Sequence, residues 1–190
     1  MKIEVFSHYL FEEDMKRMNL NDENVEDSKL GFISIIGTHE CLKYWLDEED
    51  TKHYFKDHPN VLNLDFDDIS RDVSYKGHIF KTITMEQAEA TVDFIENMIK
   101  KGVEGMKIHC RAGFSRSRAI AEFVYRYCME NNIEVKYDDR NDYNTILNHG
   151  ILRRLNHAYW KKHKINGYEN GEDYPSQLPL PKGRGLPQSR

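Results

Sequence analysis

Met106-Lys107-Ile108-His109-Cys110-Arg111-Ala112-Gly113-Phe114-Ser115-Arg116-Ser117 is the stretch that decides how this chain of 190 residues is read. Gly105 bounds a short apolar run, Met106 to His109, which reads as a strand running straight into Cys110. From about Ser115 to Asn131 the period becomes helical, with Ile120, Phe123, Val124 and Tyr127 facing inward. Between the two, residues including Gly113 turn the backbone so that successive N–H groups can converge on an anion. Arg116 adds a forked cation suited to two phosphate oxygens, and the helix that follows contributes the positive end of its dipole. Such a field also favours ionised thiols, whose pKa falls from about 8.5 to roughly 3.5–7.5 in comparable surroundings. The expectation is a nucleophilic sulfur where oxyanions dock.

The rest of the chain supplies a frame for that loop. Lys2 to Phe6 reads as a strand, His8 to Met18 as a helix, and Asn19 to Lys29 as a polar connection. Gly31 to Ile36 is apolar and β-branched, as a buried strand is, and Val61 to Phe66 looks like a third. Thr84 and Gln87 form a capping box, after which Ala88, Val92, Ile95 and Ile99 repeat at helical intervals up to Gly102. A further helix is expected from about Tyr143 to His163, with Gly150 an unfavourable residue inside it. Strands alternating with helices predict an α/β fold: a single three-layer domain over residues 1–165, with a short, mostly parallel central sheet flanked by helices. Ligands in such sheets bind beyond the carboxyl ends of the strands. From Asn166 the composition turns to Gly, Pro, Ser and charge, which predicts a tail over residues 166–190.

Composition excludes several classes. The chain carries 11 Tyr, 9 Phe and 2 Trp, too many aromatics for a disordered polymer. No apolar run approaches the roughly 18 residues that span a bilayer, and Met1 to Glu4 opens no secretory stretch, so a cytoplasmic protein without membrane partners is expected. Three cysteines, Cys41, Cys110 and Cys128, make neither a disulfide framework nor a thiolate zinc site; Cys41 and Cys128 read as core residues. Residues 1–60 carry 7 basic and 14 acidic side chains, a balance read as a solvated surface and assigned no function. His149, His157 and His163 do not make a metal motif, and no metal or other cofactor is expected.

The run His109 to Ser117 resembles the signature loop of the cysteine-dependent protein tyrosine phosphatases, His-Cys-x5-Arg-Ser/Thr, and within them the dual-specificity branch, whose loops commonly read Gly-x-Ser-Arg-Ser. By chance a Cys-x2-Gly-x2-Arg-Ser pattern arises in roughly one chain per thousand of this length. The loop likeness covers nine residues, and the fold pattern extends it more weakly from about Gly31 to Trp160. The resemblance implies that Cys110 attacks phosphorus and becomes a phosphocysteine, and that Arg116 binds the phosphoryl oxygens. The amides of Arg111, Ala112, Gly113, Phe114 and Ser115 complete the cradle, and Ser117 hydrogen-bonds the sulfur and helps it leave. It further implies that His109 shapes the loop and the thiolate through hydrogen bonds.

The family also places an Asp after a preceding strand to protonate the leaving oxygen, a contribution of about 10²–10⁴ in rate. Asp65, Asp67, Asp68 and Asp72 crowd that position; aligning Leu64 to Phe66 with the family's strand puts Asp68 on the acid, with Asp67 the alternative. Asp68 lies 42 positions before Cys110, which points to an insertion around Arg71 to Lys81.

The chain lacks a Trp-Pro-Asp acid loop, a Lys-Asn-Arg-Tyr clamp and a glutamine-rich motif after the loop, which disfavours a large tyrosine-specific enzyme. Phe114 stands where lipid phosphatases of the superfamily tend to add lysine. The resemblance thus implies a hydrolase of phosphotyrosine, with phosphoserine or phosphothreonine as further substrates, on a protein or peptide partner. Phosphatases of RNA 5′ ends, nucleotides or phosphoinositides are the alternative, and a phosphate-binding module without catalysis is the non-enzyme rival. Arg153, Arg154, Lys161, Lys162 and Lys164 read first as a solvated face; their sharper reading, with Tyr159 and Trp160 available for stacking, is attraction of an acidic phosphopeptide or RNA. Nucleic acid is the less favoured partner.

Overall fold

The computed structural model describes residues 1–38, 52–75, 77–139 and 147–164. Strand β1 (Lys2–Ser7) leads into helix α1 (His8–Arg17), and a single 3-10 turn precedes β2 (Leu30–Ile36). Next come β3 (Val61–Asp65), the hairpin β4 (Val73–Tyr75) and β5 (His78–Phe80), and helix α2 (Met85–Lys100). Strand β6 (Gly105–Cys110), helix α3 (Arg116–Glu130), β7 (Lys136–Asp139) and α4 (His149–His163) complete the order. Five strands form one sheet in the order β3-β2-β6-β1-β7, and every pairing in it is parallel. The α/β expectation thus holds.

Alternation along the strands divides the sheet into two unlike faces. Ile3, Val5, Ile33, Ile35, Met106 and Ile108 pack against Ala88, Val92 and Ile95 of α2, Ile120, Phe123 and Val124 of α3, and Ile151 and Leu155 of α4. On the opposite face Phe6 and Phe32 pack with Phe11 and Met15 of α1. This second face also buries charge: Lys107 Nζ donates to Glu4 Oε2 and to Asp14 Oδ2, both at 2.7 Å. Burial, the largest single influence, pushes both carboxyls up, but Lys107 together with Lys2 at Glu4 and with Arg17 at Asp14 outweighs it and holds them below the usual carboxylate range.

The order of strands fixes where a ligand can enter. Strands β1 and β6 are neighbours in register, with Ser7 opposite Cys110 at their carboxyl ends. From Ser7 the chain turns into α1 on one face, whereas after Cys110 it loops into α3 on the other. Divergence of this kind marks the topological switch point, the place at which parallel sheets generally bind ligands.

Several expectations change in detail. The capping box is present, with Gln87 N donating to Thr84 Oγ1 (3.2 Å) and Thr84 N to Gln87 Oε1 (2.9 Å). The last helix begins at His149, not Tyr143, because Asn148 caps it, accepting from Gly150 N and Ile151 N; residues 140–146 lie outside the described residues. The insertion expected around Arg71 to Lys81 contains the antiparallel β4-β5 hairpin. Strand β7 was not foreseen, since Lys136-Tyr137-Asp138-Asp139 is too polar to read as a strand until β1 offers it an edge. Tyr127 is half-buried, its ring edge-on to Tyr159 rather than in the core. Cys128 is buried as expected, while Cys41 and the tail from residue 166 lie outside the described residues. Among the described residues, no helix is long and apolar enough to cross a membrane.

Candidate active site

Cys110 ends β6 and is 2% exposed, the last member of the apolar row begun by Met106 and Ile108. Its Sγ lies 3.1 Å from Oγ of Ser117, the second residue of α3. Between them Gly113 has φ +74°, a left-handed conformation costly for residues with a side chain, so the turn that brings Ser117 back over the sulfur requires glycine. Arg111 and Ala112 are exposed, Phe114 and Ser115 half-buried, and Gly113 buried. Arg111 O accepts from His8 N at 3.1 Å, which ties the loop to the start of α1.

Arg116 is the electrostatic centre of the loop. Its side chain belongs to a residue only 8% exposed, and Nη1 donates to Phe66 O at 2.8 Å. Nε is buried without a hydrogen-bond partner, and no carboxylate pairs with the guanidinium among the described residues. A buried cation without a counter-ion is costly unless an anion supplies the missing charge and acceptors.

The four aspartates separate cleanly. Asp65 Oδ1 accepts from His53 Nε2 (2.8 Å), and Asp72 Oδ1 accepts from Thr82 N (2.9 Å). Asp67 is 4% exposed and accepts from Thr38 N (3.1 Å), Thr38 Oγ1 (2.8 Å) and Lys81 N (2.8 Å). Asp68 alone is exposed and bonded to the cysteine loop: its Oδ1 accepts from Ser115 Oγ at 2.7 Å and from Asn148 Nδ2 at 2.8 Å. Ser115 stands at the N-cap of α3 without capping it, because its hydroxyl is turned to Asp68.

His109 departs from its expected role. Both ring nitrogens are buried and without a hydrogen-bond partner, so it shapes the loop by packing and not by hydrogen bonds. The reason is the β6 alternation, which sends His109 to the α1 face, where its ring stacks on Phe11 at 4.1 Å and stands edge-on to His8 at 5.2 Å. Burial, reinforced by His8, His53 and Arg116, holds its pKa well below the ordinary histidine value.

The basic stretch of α4 is largely committed within the protein. Lys161 Nζ donates to Glu89, Lys162 Nζ to Asp93 and Glu96, and Arg154 Nη1 to Thr82 Oγ1. Trp160 is 2% exposed, which removes it as a stacking platform. Asn148 is the site residue that sequence reading missed; an Asn ahead of His149-Gly150-Ile151-Leu152 was a legible N-cap signal, hidden by the helix extrapolated from Tyr143. Among the described residues no group of three or more His, Cys, Asp or Glu could hold a metal ion. No protein-family model, curated protein or solved structure matches the chain.

Proposed function

We propose that this protein is a cysteine-dependent phosphomonoester hydrolase of the protein tyrosine phosphatase superfamily, of the dual-specificity kind, acting on phosphorylated protein. The observation that carries the reading is Arg116: a buried guanidinium without a carboxylate partner among the described residues, in the loop that carries Cys110, supports a site built for a dianion. Cys110 Sγ, reactive as the thiolate, attacks phosphorus while Arg116 and the loop amides hold the non-bridging oxygens. As the P–O bond breaks, Asp68 gives its proton to the leaving oxygen. Water then attacks the phosphocysteine, its proton passes to Asp68, and inorganic phosphate departs as Sγ regains its electron pair. Ser117 Oγ, already 3.1 Å from the sulfur, stabilises the departing thiolate. The internal pairing of Lys161 and Lys162 and the burial of Trp160 favour a phosphoprotein over RNA as substrate.

The test is phosphate release from p-nitrophenyl phosphate and from a tyrosine phosphopeptide, with and without vanadate and a chelator. Vanadate should block turnover, the chelator should not, and Cys110→Ser should retain phosphopeptide binding without turnover. Undiminished activity in Cys110→Ser would exclude the phosphocysteine route. Tight phosphopeptide binding with no release by the unmodified protein would leave only a phosphate-binding module.

A further inference from the structure

We infer that Asn148 is a positioning residue for Asp68, an inference that rests on the phosphatase reading and identifies what aims its acid. The amide of Asn148 has one sensible orientation: Oδ1 accepts from Gly150 N (3.1 Å) and Ile151 N (3.2 Å), which leaves Nδ2 to face Asp68 Oδ1 at 2.8 Å. Flipping it would set an amino group against two backbone donors and a carbonyl against a carboxylate. Ser115 Oγ donates to the same Oδ1 at 2.7 Å. Both donors hold one oxygen, so the other, Oδ2, has no partner among the described residues. Because Asp68 is exposed, Oδ2 is the oxygen left for a leaving group.

Gly150 makes the arrangement sterically feasible. A Cβ there would stand 3.1 Å from Ser70 Cα and 3.2 Å from Asn148 Oδ1, so the missing side chain lets the first turn of α4 approach the backbone just after Asp68. The residue that looked unfavourable inside a helix is thus the one that allows α4 to reach the acid. Two anchors from different elements, α4 and the cysteine loop, restrict a carboxylate that would otherwise sample several rotamers.

The test separates capping from positioning. Asn148→Ser keeps a hydroxyl able to cap α4 but is too short to reach Asp68; Asn148→Ala loses both. Steady-state rates would be measured on phenyl phosphate, a poor leaving group, and on 2,4-dinitrophenyl phosphate, a good one, beside thermal melting and vanadate inhibition. Both variants should lose about tenfold in kcat on phenyl phosphate and less than about twofold on the activated ester, with vanadate inhibition unchanged. A wild-type rate on phenyl phosphate in Asn148→Ser, or equal losses on both esters, would overturn the positioning role. Should Asn148→Ser fail to fold, Asn148→Thr, which also caps with a side chain too short to reach Asp68, takes its place in the comparison. Wild-type protein that hydrolyses neither ester would remove the phosphatase reading itself, an outcome distinct from active wild type beside an unaffected variant.

Discussion

Asp67 and Asp68 are consecutive in the chain, yet one is buried and the other exposed. Asp67 accepts from Thr38 and Lys81 and so closes the base of the segment that includes the β4-β5 hairpin; Asp68 accepts from Ser115 and Asn148 at the mouth of the cysteine loop. Substitutions at these neighbours should therefore fail in different ways. Asp68→Asn should fold normally and lose roughly 10²-fold in rate on phenyl phosphate, with a much smaller loss on 2,4-dinitrophenyl phosphate. Asp67→Ala leaves two part-buried backbone donors, Thr38 N and Lys81 N, without their carboxylate and should lower stability by about 1–3 kcal/mol in urea unfolding. A stable Asp67→Ala would show that the clasp contributes little.

Ser117 should affect the second half of the reaction. Removing its hydroxyl in Ser117→Ala takes away the hydrogen bond 3.1 Å from Sγ when the sulfur leaves as an anion. Loss of such a charge-assisted bond costs about 1.5–3 kcal/mol, or roughly tenfold or more in hydrolysis of the intermediate. Stopped-flow traces should show a burst of phenol release followed by a slow phase, with the phosphorylated protein visible by mass spectrometry. Slowing of the burst itself would place Ser117 in the first step instead.

His109 makes the fold sensitive to acid. Its folded pKa is lowered well below 6.5 by burial and by His8, His53 and Arg116, so below that pH the unfolded chain takes up a proton that the folded protein refuses. The contribution to stability is therefore present above about pH 6.5 and lost as pH falls from there toward the folded value. His109→Phe, which can stack on Phe11 as the imidazole does, should flatten the decline of unfolding free energy between pH 6.5 and 5 by up to one proton's slope. Parallel pH profiles for the two proteins would place the acid sensitivity elsewhere.

Asn156 is a stability cost that carries no bond in return. It is 1% exposed on α4, and neither Oδ1 nor Nδ2 has a partner. Asn156→Leu, similar in branching and a better helix former, should stabilise the protein by about 1–2 kcal/mol in urea unfolding. Destabilisation would indicate that the larger side chain does not fit among Leu152, Leu155 and their neighbours.

What was legible from residue order is what depends on near neighbours. The turn at Gly113, the spacing of Cys110, Arg116 and Ser117, and the Thr84-Gln87 capping box span eight residues or fewer, and each is present. His109 differs: the resemblance implies hydrogen bonds from it to the loop and the thiolate, but successive residues of a strand face opposite sides of a sheet, which turns its ring away from Cys110 and onto Phe11.

The amino-acid order by itself determined the alternation of strands and helices and the loop at Cys110, because periodicity and turn chemistry act over a few residues. Only the tertiary structure decided which aspartate meets that loop and what holds it, because those bonds join positions 47 and 80 residues apart. It also decided that Arg116 has no counter-ion among the described residues, since charge compensation depends on which side chains the packed sheet and helices bring within a few ångströms, not on their order in the chain.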